Sequence, residues 1–405
     1  MHLTDEDKRM LNGEYGDMVR RSMKILVTLG EIYGAERMLD IRNVHSPGVS
    51  YRVAGDAGLN FVKETSQSAH CKVLTTLNTM GIDSERWEEF GFPREFALKQ
   101  LELSDAYRAV GAIPIYTCTP FLVGNVPLLG EHIAWGESSA IAFVNSVIGA
   151  RTNREGGPSA LAAALTGRVP EYGYHLDENR RGKFLFRVDT DLETDRDFAV
   201  LGYFAGKIAG REVPVFEGLK RRPTLENLKA LSAAVASSGA VALYHIVGVT
   251  PEAPVREAVI DNNTEPIPFG RREYEETVAK FMLSGDIDCV VVGCPHCSIA
   301  ELREIAQLLS GKKVKVDTFI CTSKHAKDIS DRTGYTGIIE ATGARIVIDT
   351  CPVLGPTLPK GYRTMATSSG KLAHYAPGLW KLRTALLHLE DCVGAALKGR
   401  WEEQV

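Results

Sequence analysis

The chain has 405 residues, with 47 Lys plus Arg against 51 Asp plus Glu, 44% hydrophobic and 24% charged residues: enough for two or three α/β-sized units and too long for a disulfide-held miniature. The formal net charge of -4 removes the electrostatic basis for nucleic-acid binding. Apolar runs such as 238–249 fall short of the roughly 20 residues of a membrane helix, and the opening MHLTDEDKRM is charged where a signal peptide is apolar. A cytoplasmic protein without membrane association is expected.

Residues 4–40 predict a helical pair, with Thr4 as N-cap and Asp5, Glu6 and Asp7 in the first turn, where unpaired N–H groups favour acids. After a turn at Ser46-Pro47-Gly48, the Gly-rich segments 50–58 and 77–81 read as loops at strand ends, the second following a strand at 72–76. A helix at 95–109 leads to a strand at 112–116 that ends in Thr117-Cys118-Thr119-Pro120. The stretch 136–168 is dense in small residues, which lets backbones pack closely or approach a ligand, and its 140–147 portion is helix-like. A helix at 224–238 precedes a strand at 240–249. From there, strand 288–292, helix 298–309, strand 313–320, helix 324–333 and strand 345–348 form a βαβαβ unit on a parallel sheet. The expected domains are 1–180, 181–284 and 285–405.

Eight cysteines in a chain without an export signal point to packing, metal ligation or catalysis rather than disulfides. Cys118, Cys294 and Cys351 each end a predicted strand one or two residues before a proline. Parallel sheets bind ligands beyond the carboxyl ends of their strands, so these thiols can converge although they span positions 118 to 351. Three thiolates suit an iron–sulfur cluster with one iron left open. The competing view is packing, since free Cys is among the most buried residue types. Cys294-Pro-His-Cys297 is a single CxxC without the second pair of a structural zinc site. Cys297 is therefore a reserve ligand or a thiol at a helix N-terminus, Cys321 a second reserve, and Cys71, Cys289 and Cys392 are packing residues.

A second cluster covers Glu131, His132, Trp135, Glu137, Ser138, Ser139, Asn145 and Ser146, followed by the polar run Arg151-Thr-Asn-Arg154-Glu155. Its two guanidiniums suit a carboxylate or phosphate, although a solvated helix C-terminus also favours cations. Thr367-Ser368-Ser369-Gly370-Lys371 is a shortened phosphate-loop pattern without the upstream glycine, equally readable as a capping turn.

The block YTCTPFLVGNVPLLGEHIAWGESSAIAFVNSVIGARTNREGGPSALAAALTGRVPEYG at 116–173, with LTDEDKRMLNGEYG, GVSYRVAGDAG, TTLN, GCPHCS, DTCPV and SSGKLAHYAPG, resembles the large subunit of aconitase X over essentially the whole chain. The resemblance implies the three-domain α/β core of the aconitase superfamily and an iron–sulfur cluster, expected to be 4Fe-4S, that dehydrates or isomerises hydroxy acids. Two activities go with the family, dehydration of mevalonate 5-phosphate by two-subunit archaeal members and of cis-3-hydroxy-L-proline by bacterial members, often fused. A chain that ends at 405 without the small swivelling domain implies a separate large subunit, a small-subunit partner carrying the serine base, and the first activity. Cys297, Cys321 and Ser368, the last where Asn is expected, depart from the pattern.

On this reading Cys118, Cys294 and Cys351 hold the cluster, and Asn78, Ser138, Ser139, Arg151 and Arg154 orient the oxygens of a small anionic substrate. Glu137 joins the two serines as a catalytic candidate, and Lys371 with Ser369 meets the distal charge. The rival classes are a structural zinc protein built on Cys294 and Cys297, and a redox enzyme using the same two thiols.

Overall fold

The computed structural model describes residues 1–353, 355 and 361–402. The chain begins with helices Asp5–Asn12 and Asp17–Ile32. In the first, Thr4 Oγ1 accepts the Asp7 N–H at 3.2 Å while Asp7 Oδ2 accepts the Thr4 N–H at 2.9 Å. This reciprocal cap satisfies two otherwise unpaired donors.

The first sheet has Asn43–Ser46 at its centre, paired in parallel with Leu74–Leu77 and Ala134–Trp135. The expected strand at 112–116 reduces to one bridge between Ile113 and Thr76, because Pro114 has no N–H to donate and Tyr116 leaves the β region at φ 38°. Of residues 50–58, expected as a loop, Ser50 is the N-cap and 51–58 belong to helix Tyr51–Ser66, with a break at Gly55, where φ is 57° and ψ -169°. The glycines there mark a kink rather than a loop.

The second sheet is parallel, in the order His245–Ile246, Pro214–Glu217, Phe184–Val188, Pro266–Phe269. Phe186, Phe198, Phe216, Leu231 and Tyr244 fill its core. The strand expected at 240–249 pairs only at His245–Ile246. Upstream, Asn145 Nδ2 donates to the Ala242 carbonyl at 2.9 Å and Tyr244 N–H donates to Ser146 Oγ at 2.8 Å. Buried backbone groups must be paired, and here side chains replace a strand ladder.

The third sheet is also parallel: Arg345–Ile348, Asp317–Thr322, Cys289–Cys297, Thr364–Thr367, Arg383–Leu386. The chain leaves Cys289–Cys297 on one side for two strands, then returns to its other side for the last two, which the expected βαβαβ unit did not include. The reversal between Cys289–Cys297 and Thr364–Thr367 is a topological switch point, where strand-end loops diverge and open a crevice. The first sheet reaches this crevice through a bridge between Met80 and Thr350, and Ile348 N–H donates to Asp83 Oδ2 at 2.8 Å. Among the described residues no helix is long and apolar enough to cross a membrane.

Candidate active site

Two glycines shape the crevice. Gly293 has φ 91°, and a Cβ on it would lie 2.0 Å from the Cys321 carbonyl oxygen, so only glycine lets the strand bend before Cys294. A Cβ on Gly136 would lie 2.1 Å from the Pro47 ring, so glycine there brings Glu137 against the 47–50 loop.

Between these bends lies a cavity of about 260 Å³ lined by Cys118, Cys294 and Cys351 together with Asn78, Glu137, Ser138 and Lys371. The three thiols are buried. Burial, then the charges of Glu137 and Cys351, pushes the Cys118 thiol up to about 12. A hydrogen bond with Cys351, added to burial, holds Cys294 well above the ordinary thiol range. Lys371 opposes both shifts by attracting the thiolate forms.

Lys371 is the electrostatic centre of the cavity. Its Nζ donates to Glu137 Oε1 at 2.6 Å, Ser139 Oγ at 2.9 Å and Ser138 Oγ at 3.1 Å, which uses all three N–H groups. Burial works against the ammonium, but Glu137, Cys294 and Cys351 outweigh it and raise its pKa. Burial likewise works against the Glu137 carboxylate, and Lys371 with the Ala140 N–H outweighs it, holding Glu137 below its ordinary value. Lys371 and Glu137 are 234 positions apart. Their pairing is a product of the fold.

His296 stands among the thiols. Its N–H donates to Cys118 Sγ at 3.2 Å, Nδ1 lies 3.1 Å from Thr117 Oγ1 and Nε2 lies 2.8 Å from the Thr350 carbonyl oxygen. Its own carbonyl accepts from Lys229 Nζ at 3.1 Å, and Lys229 is ion-paired to Glu301. Burial pushes the imidazole down to about 4, so it is neutral near pH 7. His296 and Lys229 were not singled out in the sequence. The signal for His296 was its position inside the Cys-Pro-His-Cys motif, while a lone lysine in a small-residue helix offers none.

Other expectations do not meet at the cavity. Arg151 donates to the His175 carbonyl at 3.0 Å and is ion-paired to Asp177, and it lines a different cleft with Arg180 and Glu252. The reason is register. Arg151 bridges His132 at the start of the Ala134–Trp135 strand, whereas Glu137 follows its end. Arg154 is exposed. Ser369 caps helix Gly370–Trp380 by accepting the Leu372 N–H at 3.0 Å, and it donates to the Cys294 carbonyl. With Ser368 it lines a neighbouring cleft rather than the thiol cavity. The phosphate-loop-like pattern is thus a capping turn that positions Cys294, and Lys371 has no donor left over for a distal group.

The two readings built on a Cys294–Cys297 pair also lose their basis. Cys294 packs in the layer of Cys289, Val291 and Cys321, and Cys297 in the layer of Val290, Val292 and Leu302. Among the described residues no three His, Cys, Asp or Glu side chains are gathered to hold one metal ion. Cys118, Cys294 and Cys351 instead line one shared cavity, a set of three thiols whose chemistry fits an iron–sulfur cluster.

Three α/β units and a crevice lined by Cys118, Cys294 and Cys351 define an α/β protein with a buried three-thiol site. The family models for the first, second and third domains of aconitase X match residues 1–178, 182–279 and 287–398. The chain belongs to the aconitase X family. It is 48% identical over 382 residues to the phosphomevalonate dehydratase large subunit of Methanothermobacter thermautotrophicus, covering 94% of each chain. The crystal structure of Thermococcus kodakaraensis aconitase X in its holo-form superposes with a TM-score of 0.89 at 42% identity, covering 98% of this chain and 100% of that one. The cis-3-hydroxy-L-proline dehydratase of Pseudomonas aeruginosa is 36% identical over 97% of this chain and 70% of its own length.

Proposed function

We propose that this chain is the large subunit of an iron–sulfur hydro-lyase that removes water from mevalonate 5-phosphate to give trans-anhydromevalonate 5-phosphate, for isoprenoid synthesis in the cytoplasm. The observation that carries the reading is the single cavity shared by Cys118, Cys294, Cys351, Asn78, Glu137, Ser138 and Lys371. A relative named as the large subunit for this activity is 48% identical and is covered over 94% of its own length. The hydroxyproline enzyme is the more distant of the two and extends well beyond the aligned region.

Cys118, Cys294 and Cys351 would hold the cluster, expected to be 4Fe-4S. When bound, a cluster with an open iron supplies a Lewis acid for the departing hydroxyl and a substrate carboxylate. The protein supplies the rest. Lys371 keeps Glu137 ionised and orients Ser138 and Ser139. The Ser138 hydroxyl and the Asn78 amide, both lining the cavity, supply hydrogen bonds to substrate oxygens. The proton on the neighbouring carbon is taken by a base from the small subunit. For the phosphate, the structure offers Arg52, between the lining residues Ser50 and Val53, exposed and donating to the Gly355 carbonyl at 3.0 Å.

The test is side-by-side assay of the reconstituted two-subunit protein on mevalonate 5-phosphate and cis-3-hydroxy-L-proline after anaerobic iron and sulfide loading. Turnover of the phosphate substrate alone is expected. Turnover of hydroxyproline alone overturns the substrate choice, and full activity without iron overturns the cofactor.

A further inference from the structure

We infer that His296 is a positioning residue that fixes the mutual spacing of the three thiol-bearing loops. The inference rests on the reading of Cys118, Cys294 and Cys351 as ligands, and the hydrogen bonds supply the rest. His296 lies two residues after Cys294. Its ring reaches Thr117, the residue before Cys118, at 3.1 Å, and Thr350, the residue before Cys351, at 2.8 Å. One rigid five-membered ring therefore ties together segments that are distant in sequence and come from two sheets.

The tautomer follows from the partners. A carbonyl only accepts, so Nε2 carries the proton toward Thr350, and Nδ1 is left with a lone pair that accepts the Thr117 hydroxyl. Thr117 Oγ1 in turn accepts the Thr119 N–H at 3.2 Å, which stiffens the turn around Cys118. The backbone is committed as well. The His296 N–H donates to Cys118 Sγ, and its carbonyl is held by Lys229. With every polar group used, the ring has one orientation, and the loops carrying Cys118 and Cys351 are held to the same body as Cys294. Ligands must be preset at their spacing if the binding free energy of a cluster is not to be spent on ordering three loops.

Two substitutions separate the two arms of the ring. In His296→Asn the amide reaches as far as Nδ1 and retains the Thr117 side, but it falls short of Thr350. In His296→Gln the longer amide reaches Thr350 and cannot serve Thr117 in the same way. The measurement is mass-spectrometric mapping of iodoacetamide labelling on the cluster-free full chain. Faster labelling of Cys351 in His296→Asn and of Cys118 in His296→Gln, each by about tenfold over wild type, is expected for the loss of one hydrogen bond near 1.4 kcal/mol. The second readout is the half-life of the bound cluster against an iron chelator, expected to shorten in both variants and most in His296→Ala. Identical labelling of the two thiols in both variants, or a cluster half-life equal to wild type in His296→Ala, overturns the inference. If the wild-type protein takes up no cluster, the ligand assignment fails, and the labelling pattern still decides the role of His296.

Discussion

Replacing Lys371 by Met tests the electrostatic centre of the cavity most directly. The side chains of Lys371 and Glu137 are 11% and 6% exposed, and the ammonium makes three hydrogen bonds. Removing one member of a buried pair leaves the other as an uncompensated charge, at a cost of about 3–5 kcal/mol. Lys371→Met is therefore expected to lower the unfolding free energy by about that amount at pH 7, or to drive Glu137 to take up a proton. Adding Glu137→Gln removes the stranded charge, so the double variant regains most of the stability. It does not regain activity, because the ammonium that orders Ser138 and Ser139 is still missing. One charge-assisted bond is worth about 1.5–3 kcal/mol, so kcat/KM stays lower by roughly ten- to a hundredfold. The assay is a double-mutant cycle read by chemical denaturation, with steady-state kinetics on the two-subunit enzyme. Wild-type stability in Lys371→Met, or strictly additive effects in the double variant, would refute the coupling.

The remaining expectations address ligands, partner, substrate charge and acid stability. Cys118→Ser, Cys294→Ser and Cys351→Ser each lose bound iron, whereas Cys297→Ser, facing the other layer, keeps it; iron and sulfide analysis decides. The purified large subunit alone shows little turnover until the small subunit is added, and full activity of the single chain would show that the base lies within it. Arg52→Ala raises the KM for mevalonate 5-phosphate by about ten- to a hundredfold while Arg151→Ala and Arg154→Ala leave it unchanged, and the reverse pattern would restore the arginine clamp. His175, its Nδ1 2.9 Å from Nδ1 of His132, is pushed down from 6.5 to about 3 by burial and then by His132, Arg180 and Arg151. The folded chain keeps it neutral while the unfolded chain protonates below about pH 6.5, so its contribution is lost as pH falls from 6.5 toward 3. His175→Gln should flatten the fall of Tm with acid over that window, and an unchanged slope would contradict it.

What was legible in the sequence was the part that parallel-sheet topology dictates. Cys118, Cys294 and Cys351 were recognisable because each follows a short apolar run and precedes a proline, and strand ends in such sheets gather on one side; yet Cys294 lies inside strand Cys289–Cys297 rather than after it, and the run before Cys118 keeps a single bridge. The helix starts at Thr4, Thr224 and Ser298 were equally clear, since each cap is a local exchange between residues three apart. The arginines were misplaced for the same topological reason read too loosely. Arg151 and Glu137 share a segment rich in small residues, but the chain doubles back along Ala134–Trp135, so one sits at the start of that strand and the other after its end. Short-range pattern carries no information on which end of a neighbouring strand a returning segment meets. The Lys371–Glu137 pair and the ring of His296 were illegible on different grounds. Each depends on how distant segments meet, and a lysine, a glutamate or a histidine in isolation is more often a solvated or packed residue than part of a site. Only the sheet order of the third unit, with its reversal between Cys289–Cys297 and Thr364–Thr367, makes a lysine just after one strand a neighbour of Cys294 within the other.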